Sequence, residues 1–102
     1  MQLIQLLLPL YTEQGKPFPT SFYEEVKKEL THKFAGLTAY TRSPATGLWK
    51  KEEGEIIRDD IYVYEVMTDH LDKEYWTSYK LKLQQLFNQD ELVIRASEMI
   101  LL

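Results

Sequence analysis

Glu55-Ile56-Ile57-Arg58-Asp59-Asp60-Ile61-Tyr62-Val63-Tyr64-Glu65-Val66-Met67 is the longest strand-like stretch in the chain, and its neighbours on either side decide the fold. From Ile61 onward, β-branched and aromatic residues dominate and no breaker intervenes, which suits a pleated, half-buried ribbon. Upstream, Gly36 to Arg42 reads as a second strand, bounded by Gly36 and by Ser43-Pro44. Between these two, residues 43–54 hold Pro44, Gly47 and Gly54, and are expected to form a long hairpin arm without regular structure, with Leu48 and Trp49 as its apolar pair. Downstream, Thr68 and Asp69 announce a helix, with Asp72 placed in its first turn. Trp76, Tyr79, Leu83, Leu86 and Phe87 recur at helical spacing, and Leu71 and Tyr75 extend the stripe. Asn88-Gln89-Asp90 closes that helix, and Leu92 to Leu102 reads as a terminal strand.

The N-terminal half repeats the pattern. Met1 to Leu10 reads as a buried strand, and Tyr11 to Pro19 as a loop broken by Gly15, Pro17 and Pro19. Ser21 and Glu24 then form a candidate capping box for a helix whose apolar face is Phe22, Val26 and Leu30, ending near Lys33 with Gly36 beyond. The order strand, helix, strand, strand, helix, strand is the α+β, ferredoxin-like βαββαβ plan: a four-stranded antiparallel sheet with both helices on one face. The expected strand order is fourth, first, third, second. The opposite face of the sheet has no cover of its own.

Composition sets the frame for function. The 102 residues, 44% hydrophobic and 27% charged, suit one domain spanning 1–102. The absence of cysteine excludes thiol catalysis, disulfides and thiolate metal sites. A net charge of −4 argues against nucleic acid as a partner. The apolar opening lacks a basic flank and a cleavage site and is too short to cross a bilayer as a helix, so no membrane partner and a cytoplasmic location are expected. No phosphate loop, G-x-S-x-G elbow, H-E-x-x-H or calcium-loop pattern occurs, so no cofactor is implied. His70 beside Asp69 and Asp72 completes no metal-ligand spacing, and His32 lies far away on the first helix. The clusters Lys50-Lys51-Glu52-Glu53 and Arg58-Asp59-Asp60 mix signs and read as a solvated hairpin.

Strand alternation sorts the remaining candidates. Ile4, Leu6 and Leu8 oppose Leu3, Gln5 and Leu7, while Tyr62, Tyr64 and Val66 oppose Ile61, Val63 and Glu65. In the last strand Leu92, Ile94 and Ala96 oppose Val93, Arg95 and Ser97, and in the second the polar set is Thr38, Tyr40 and Arg42. Placing the ionisable sets on the uncovered face produces a belt of Arg95, Gln5, Glu65, Thr38 and Tyr40, surrounded by Leu3, Leu7, Ile61, Val63 and Val93. An apolar sheet surface of that extent marks an association surface, so homodimerisation through the open face is expected.

The belt has two readings. In one, Glu65 and Arg95 satisfy each other or their symmetry mates as a buried ion pair that sets register. In the other, facing sheets enclose a small molecule, with Glu65 as a base or anchor and Arg95 recognising an anion. A small cofactor-independent enzyme, monooxygenase- or isomerase-like, would use Glu65 as its catalytic base with Arg95, Tyr40 and Thr38 orienting the substrate. Trp49 either clamps a ligand or packs on its own domain or a partner. A protein-interaction module built on the 43–54 arm is a third reading.

Phe34-Ala35-Gly36-Leu37-Thr38-Ala39-Tyr40, Gly47-Leu48-Trp49, Gly54, Tyr64-Glu65-Val66-Met67 and Phe87-Asn88-Gln89-Asp90-Glu91 together resemble small uncharacterised bacterial proteins of the dimeric α/β-barrel, ferredoxin-like type. That resemblance implies dimers whose sheets face one another. Some relatives in the wider superfamily are cofactor-free monooxygenases or haem-handling enzymes, and this chain offers no strand histidine as a haem ligand.

Overall fold

A computed structural model describes residues 1–50 and 53–102, excepting the side chains at 42–44 and 57. The elements are β1 (Gln2–Pro9), α1 (Thr20–Phe34), β2 (Thr38–Lys50), β3 (Ile56–Thr68), α2 (Lys73–Leu86) and β4 (Ile94–Glu98). They form one antiparallel sheet in the order β2-β3-β1-β4, the ferredoxin-like arrangement the sequence predicts.

Alternation along β1 decides what is buried. Ile4, Leu6 and Leu8 lie under the helices with Tyr64 and Val66 of β3, all 2% exposed or less. Against them pack Tyr23, Val26 and Leu30 of α1 and Trp76, Tyr79 and Leu83 of α2, with Phe18, Phe87 and Leu92 sealing one end. Burying each large apolar side chain contributes about 1.5–3 kcal/mol, which is what fixes the register of β1 against its neighbours. The aromatic residues of α2 are core, as their spacing predicts: the Trp76 ring stacks on Phe34 at 5.3 Å and the Tyr75 ring on Tyr79 at 5.7 Å. In α1 the inner position is Tyr23 rather than Phe22, because the Tyr23 hydroxyl donates to the Pro9 carbonyl at 2.6 Å while its ring faces Phe87.

Element ends differ from expectation in four places. The Ser21–Glu24 capping box does not form: Thr20 already begins α1, Pro19 is its N-cap, and no side chain caps it. The helix terminates on Ala35 in the left-handed conformation (φ 58°), one residue before Gly36. In α2 the cap is Asp72 itself, whose carboxylate accepts from the Tyr75 N–H at 3.0 Å, so Leu71 falls outside the helix and is exposed. Finally β4 spans only Ile94–Glu98, and Ile100, Leu101 and Leu102 are exposed beyond it.

The hairpin arm is the largest departure. Residues expected to be irregular are strand: β2 runs on to Lys50, paired with β3 as far as Lys50 opposite Ile56. Tyr40 faces Val63 and Ala45 faces Ile61, so five steps along β2 match two along β3. This bulge absorbs Pro44, and because β2 is an edge strand, a proline there costs no ladder bond on its outer side. Lys51 and Glu52 of the mixed-charge cluster lie outside the described residues, as does the Arg42 side chain.

Candidate functional site

The register of β1 places Gln5 opposite Glu65 on one side and opposite Arg95 on the other, and β2 places Thr38 opposite Glu65. Arg95, Gln5, Glu65 and Thr38 therefore form one straight row across all four strands, about 14 Å long at the usual inter-strand spacing. The row lies on the face away from the helices, where strand alternation predicts it.

Its side chains are joined end to end. Arg95 Nε donates to Gln5 Oε1 at 2.8 Å, and Gln5 Nε2 donates to Glu65 Oε2 at 2.5 Å. Only one orientation of the Gln5 amide satisfies both neighbours, so the bonds fix it. Tyr40, two residues along β2 from Thr38, reaches across and donates its hydroxyl to Glu65 Oε1 at 3.1 Å. The Glu65 carboxylate beside it raises the Tyr40 phenol above its ordinary value of 10.0, chiefly through that hydrogen bond, so Tyr40 stays a donor at neutral pH. A direct Glu65–Arg95 pair does not form within one copy: β1 stands between them, and Gln5 relays the contact.

Each Glu65 oxygen accepts one bond and retains capacity for another, and among the described residues Arg95 spends only its Nε. The row can thus accept from an N–H or O–H at Glu65 and donate to an anionic or carbonyl oxygen at Arg95. What it lacks is a second wall. Clefts of about 320, 360, 410 and 480 Å³ indent the surface; none includes Glu65, and Arg95 alone of the row borders one.

The surroundings are apolar, with one difference from expectation. Leu3, Leu7, Val63 and Val93 are half-buried and Met67 is 52% exposed, whereas Ile61, between Pro9 and Ala45 on the neighbouring strands, is already buried. Trp49 is not part of the row. It faces Ile57, eight residues from Glu65 and about 27 Å away along β3, and its indole lies over Gly47, 3.2 Å from where a Cβ would stand. His70 is exposed, and the described residues contain no group of three or more His, Asp or Glu placed to hold a metal. No described helix is long and apolar enough to cross a membrane.

The residue that strand alternation did not single out is Tyr64. It belongs to the buried set of β3, and its hydroxyl has no hydrogen-bond partner among the described residues. Its place beside Tyr62 and Val66 in the inner set of β3 is the trace of this in the sequence.

Comparison with known proteins supports the architecture. A phage SAM lyase in complex with S-methyl-5'-thioadenosine superposes with a TM-score of 0.64 at 10% identity, over 95% of this chain and 80% of the other. Its apo state gives 0.59 at 10% identity, over 94% and 78%. A variant of CutA1 from Pyrococcus horikoshii OT3 gives 0.58 at 17% identity, over 97% and 83%. At these identities the likeness carries the fold alone, an α+β ferredoxin-like domain. No protein-family model and no curated protein matches the chain.

Proposed function

We propose that this chain is a self-associating domain that binds a small molecule between facing sheets, with Arg95, Gln5, Glu65, Tyr40 and Thr38 lining the shared site. The observation that carries this reading is a charged, hydrogen-bonded row at the centre of an apolar sheet face that has only one wall. A second copy would supply the other wall and exclude water, which strengthens every polar contact in the row. The dimeric α/β-barrel resemblance supports the same arrangement. Glu65 anchors a donor group of the ligand and Arg95 an acceptor or anion.

A phage protein of this fold was solved with S-methyl-5'-thioadenosine, which makes that nucleoside the first ligand to test. Calorimetric titration of wild type and Glu65→Gln separates the readings. If Glu65 anchors the ligand, Glu65→Gln weakens binding roughly tenfold or more, since a bond to a charged group contributes about 1.5–3 kcal/mol, while the oligomer persists. If the row is only an interface pair, Glu65→Gln lowers the association constant and changes no ligand binding.

The enzymatic version keeps the same residues, with Glu65 as general base and Arg95, Tyr40 and Thr38 orienting an anionic or phenolic substrate. Turnover lost in Glu65→Gln with ligand affinity retained would identify it. An interaction module is favoured by a different observation: Leu48 and Trp49 of the arm are 67% and 46% exposed. Deleting residues 43–54 should then spare the fold and abolish a partner.

A further inference from the structure

Tyr64 sits on the helix-covered side of β3, is 0% exposed, and carries a hydroxyl with no partner among the described residues. Buried hydroxyls are nearly always satisfied, because leaving one unpaired forfeits its hydration without return. This hydroxyl is therefore either tolerated at a cost or kept for a partner from outside the chain.

The surroundings favour the second. Tyr64 lines a cleft of about 410 Å³, within the size range of small-molecule pockets, between the β1–α1 loop, the first turns of α1, and strands β2 and β3. Rings from Tyr11, Phe18, Tyr23, Tyr62 and Tyr64 form much of its wall. The Tyr23 hydroxyl is already committed to the Pro9 carbonyl, so it does not compete for a ligand. The two charged groups of the wall, Glu24 and Lys27, lie 3.5 Å apart as an exposed ion pair on one face of α1, so the wall carries no net charge. Burial, the Glu24 carboxylate and the Tyr62 phenol push the Tyr64 hydroxyl up to about 12, so it remains protonated at neutral pH.

We infer that this cleft is a second binding site, distinct from the row on the open face, and that it takes a flat, uncharged heteroaromatic molecule whose acceptor atom receives the Tyr64 hydroxyl. Aromatic walls favour a planar ligand by stacking and edge contacts, the compensated charges disfavour an ion, and the one buried free donor selects for an acceptor.

Adenine is a suitable neutral probe and benzoate a flat charged comparator, both followed by protein-detected NMR on the intact chain. Adenine should bind saturably and shift resonances of Phe18, Tyr23 and Tyr62 rather than Leu7 and Val63 on the opposite face, with benzoate binding at least several-fold more weakly. Tyr64→Phe should weaken adenine about tenfold, the loss of one buried hydrogen bond. It should leave the Tm of the free protein unchanged or raised, because it removes a hydroxyl that has no partner there. No saturable adenine binding, equal binding of benzoate, or adenine affinity unchanged in Tyr64→Phe overturns the proposal. So does a lowered Tm in the free variant, which would show the hydroxyl satisfied within the chain, with Glu24 the carboxylate whose field reaches it.

Discussion

Glu65 is held from both sides, by the Gln5 amide and the Tyr40 hydroxyl, and the consequences are measurable one residue at a time. Because the carboxylate raises the Tyr40 phenol, Glu65→Gln should bring Tyr40 ionisation back toward 10.0, read as tyrosinate absorbance at alkaline pH. Burial likewise raises Tyr23, Tyr64, Tyr75 and Tyr79. For each, the folded value lies above the unfolded one, so the stability it contributes is complete below about pH 10 and is lost as pH climbs through the folded values. Denaturant midpoints should therefore fall from about pH 10 upward, with absorbance of the buried tyrosines appearing only as the chain unfolds. A midpoint flat to pH 12 would contradict their burial as protonated phenols. The membership of the row was legible in the sequence because side-chain direction in a strand has a period of two and the more apolar set of each strand goes under the helices, which leaves Gln5, Glu65 and Arg95 on the other face. The Gln5 relay was not legible, since it depends on which residues stand opposite. Nor was the unpaired Tyr64 hydroxyl, which depends on how the helices close over β3.

Helix ends obey the same logic one level up. Asp72 caps α2 through the Tyr75 N–H, so Asp72→Ala should lower unfolding free energy by about 1 kcal/mol. In contrast, α1 ends on an exposed Ala35 with φ 58°, where a Cβ is strained, and Ala35→Gly should stabilise by about 1 kcal/mol. Both are read from denaturation curves, and the opposite sign in either would place the helix end elsewhere. Residue type pointed to Asp69 and Gly36, but the caps fall on Asp72 and Ala35 because the packing of each helix, not residue preference alone, sets where it ends. The arm departs from the irregular structure its composition suggests for a related reason. Pro44 and Gly47 are breakers in an interior strand, but β2 lies at the sheet edge, where a bulge takes up the proline and Gly47 makes room for the Trp49 indole. Gly47→Val should therefore displace that ring, seen as a shift in tryptophan emission.

At the scale of the molecule, two helices cover one face of a four-stranded sheet and the arm carries β2 and β3 past it. The principal extents of 41 × 29 × 28 Å and radius of gyration of 14.2 Å exceed the roughly 13 Å typical of a compact chain this long. Leu3, Leu7, Val63 and Met67 around the Glu65 row, and Leu48 and Ile56 on the arm, are apolar surface that a second copy would cover. Sedimentation equilibrium on wild type and on Leu7→Asp, which sets a charge in the middle of the open face, tests that directly. Wild type should sediment at twice its 12.1 kDa chain mass and Leu7→Asp at the mass of a single, folded chain. A wild-type monomer at every concentration, or an oligomer indifferent to Leu7→Asp, would contradict it.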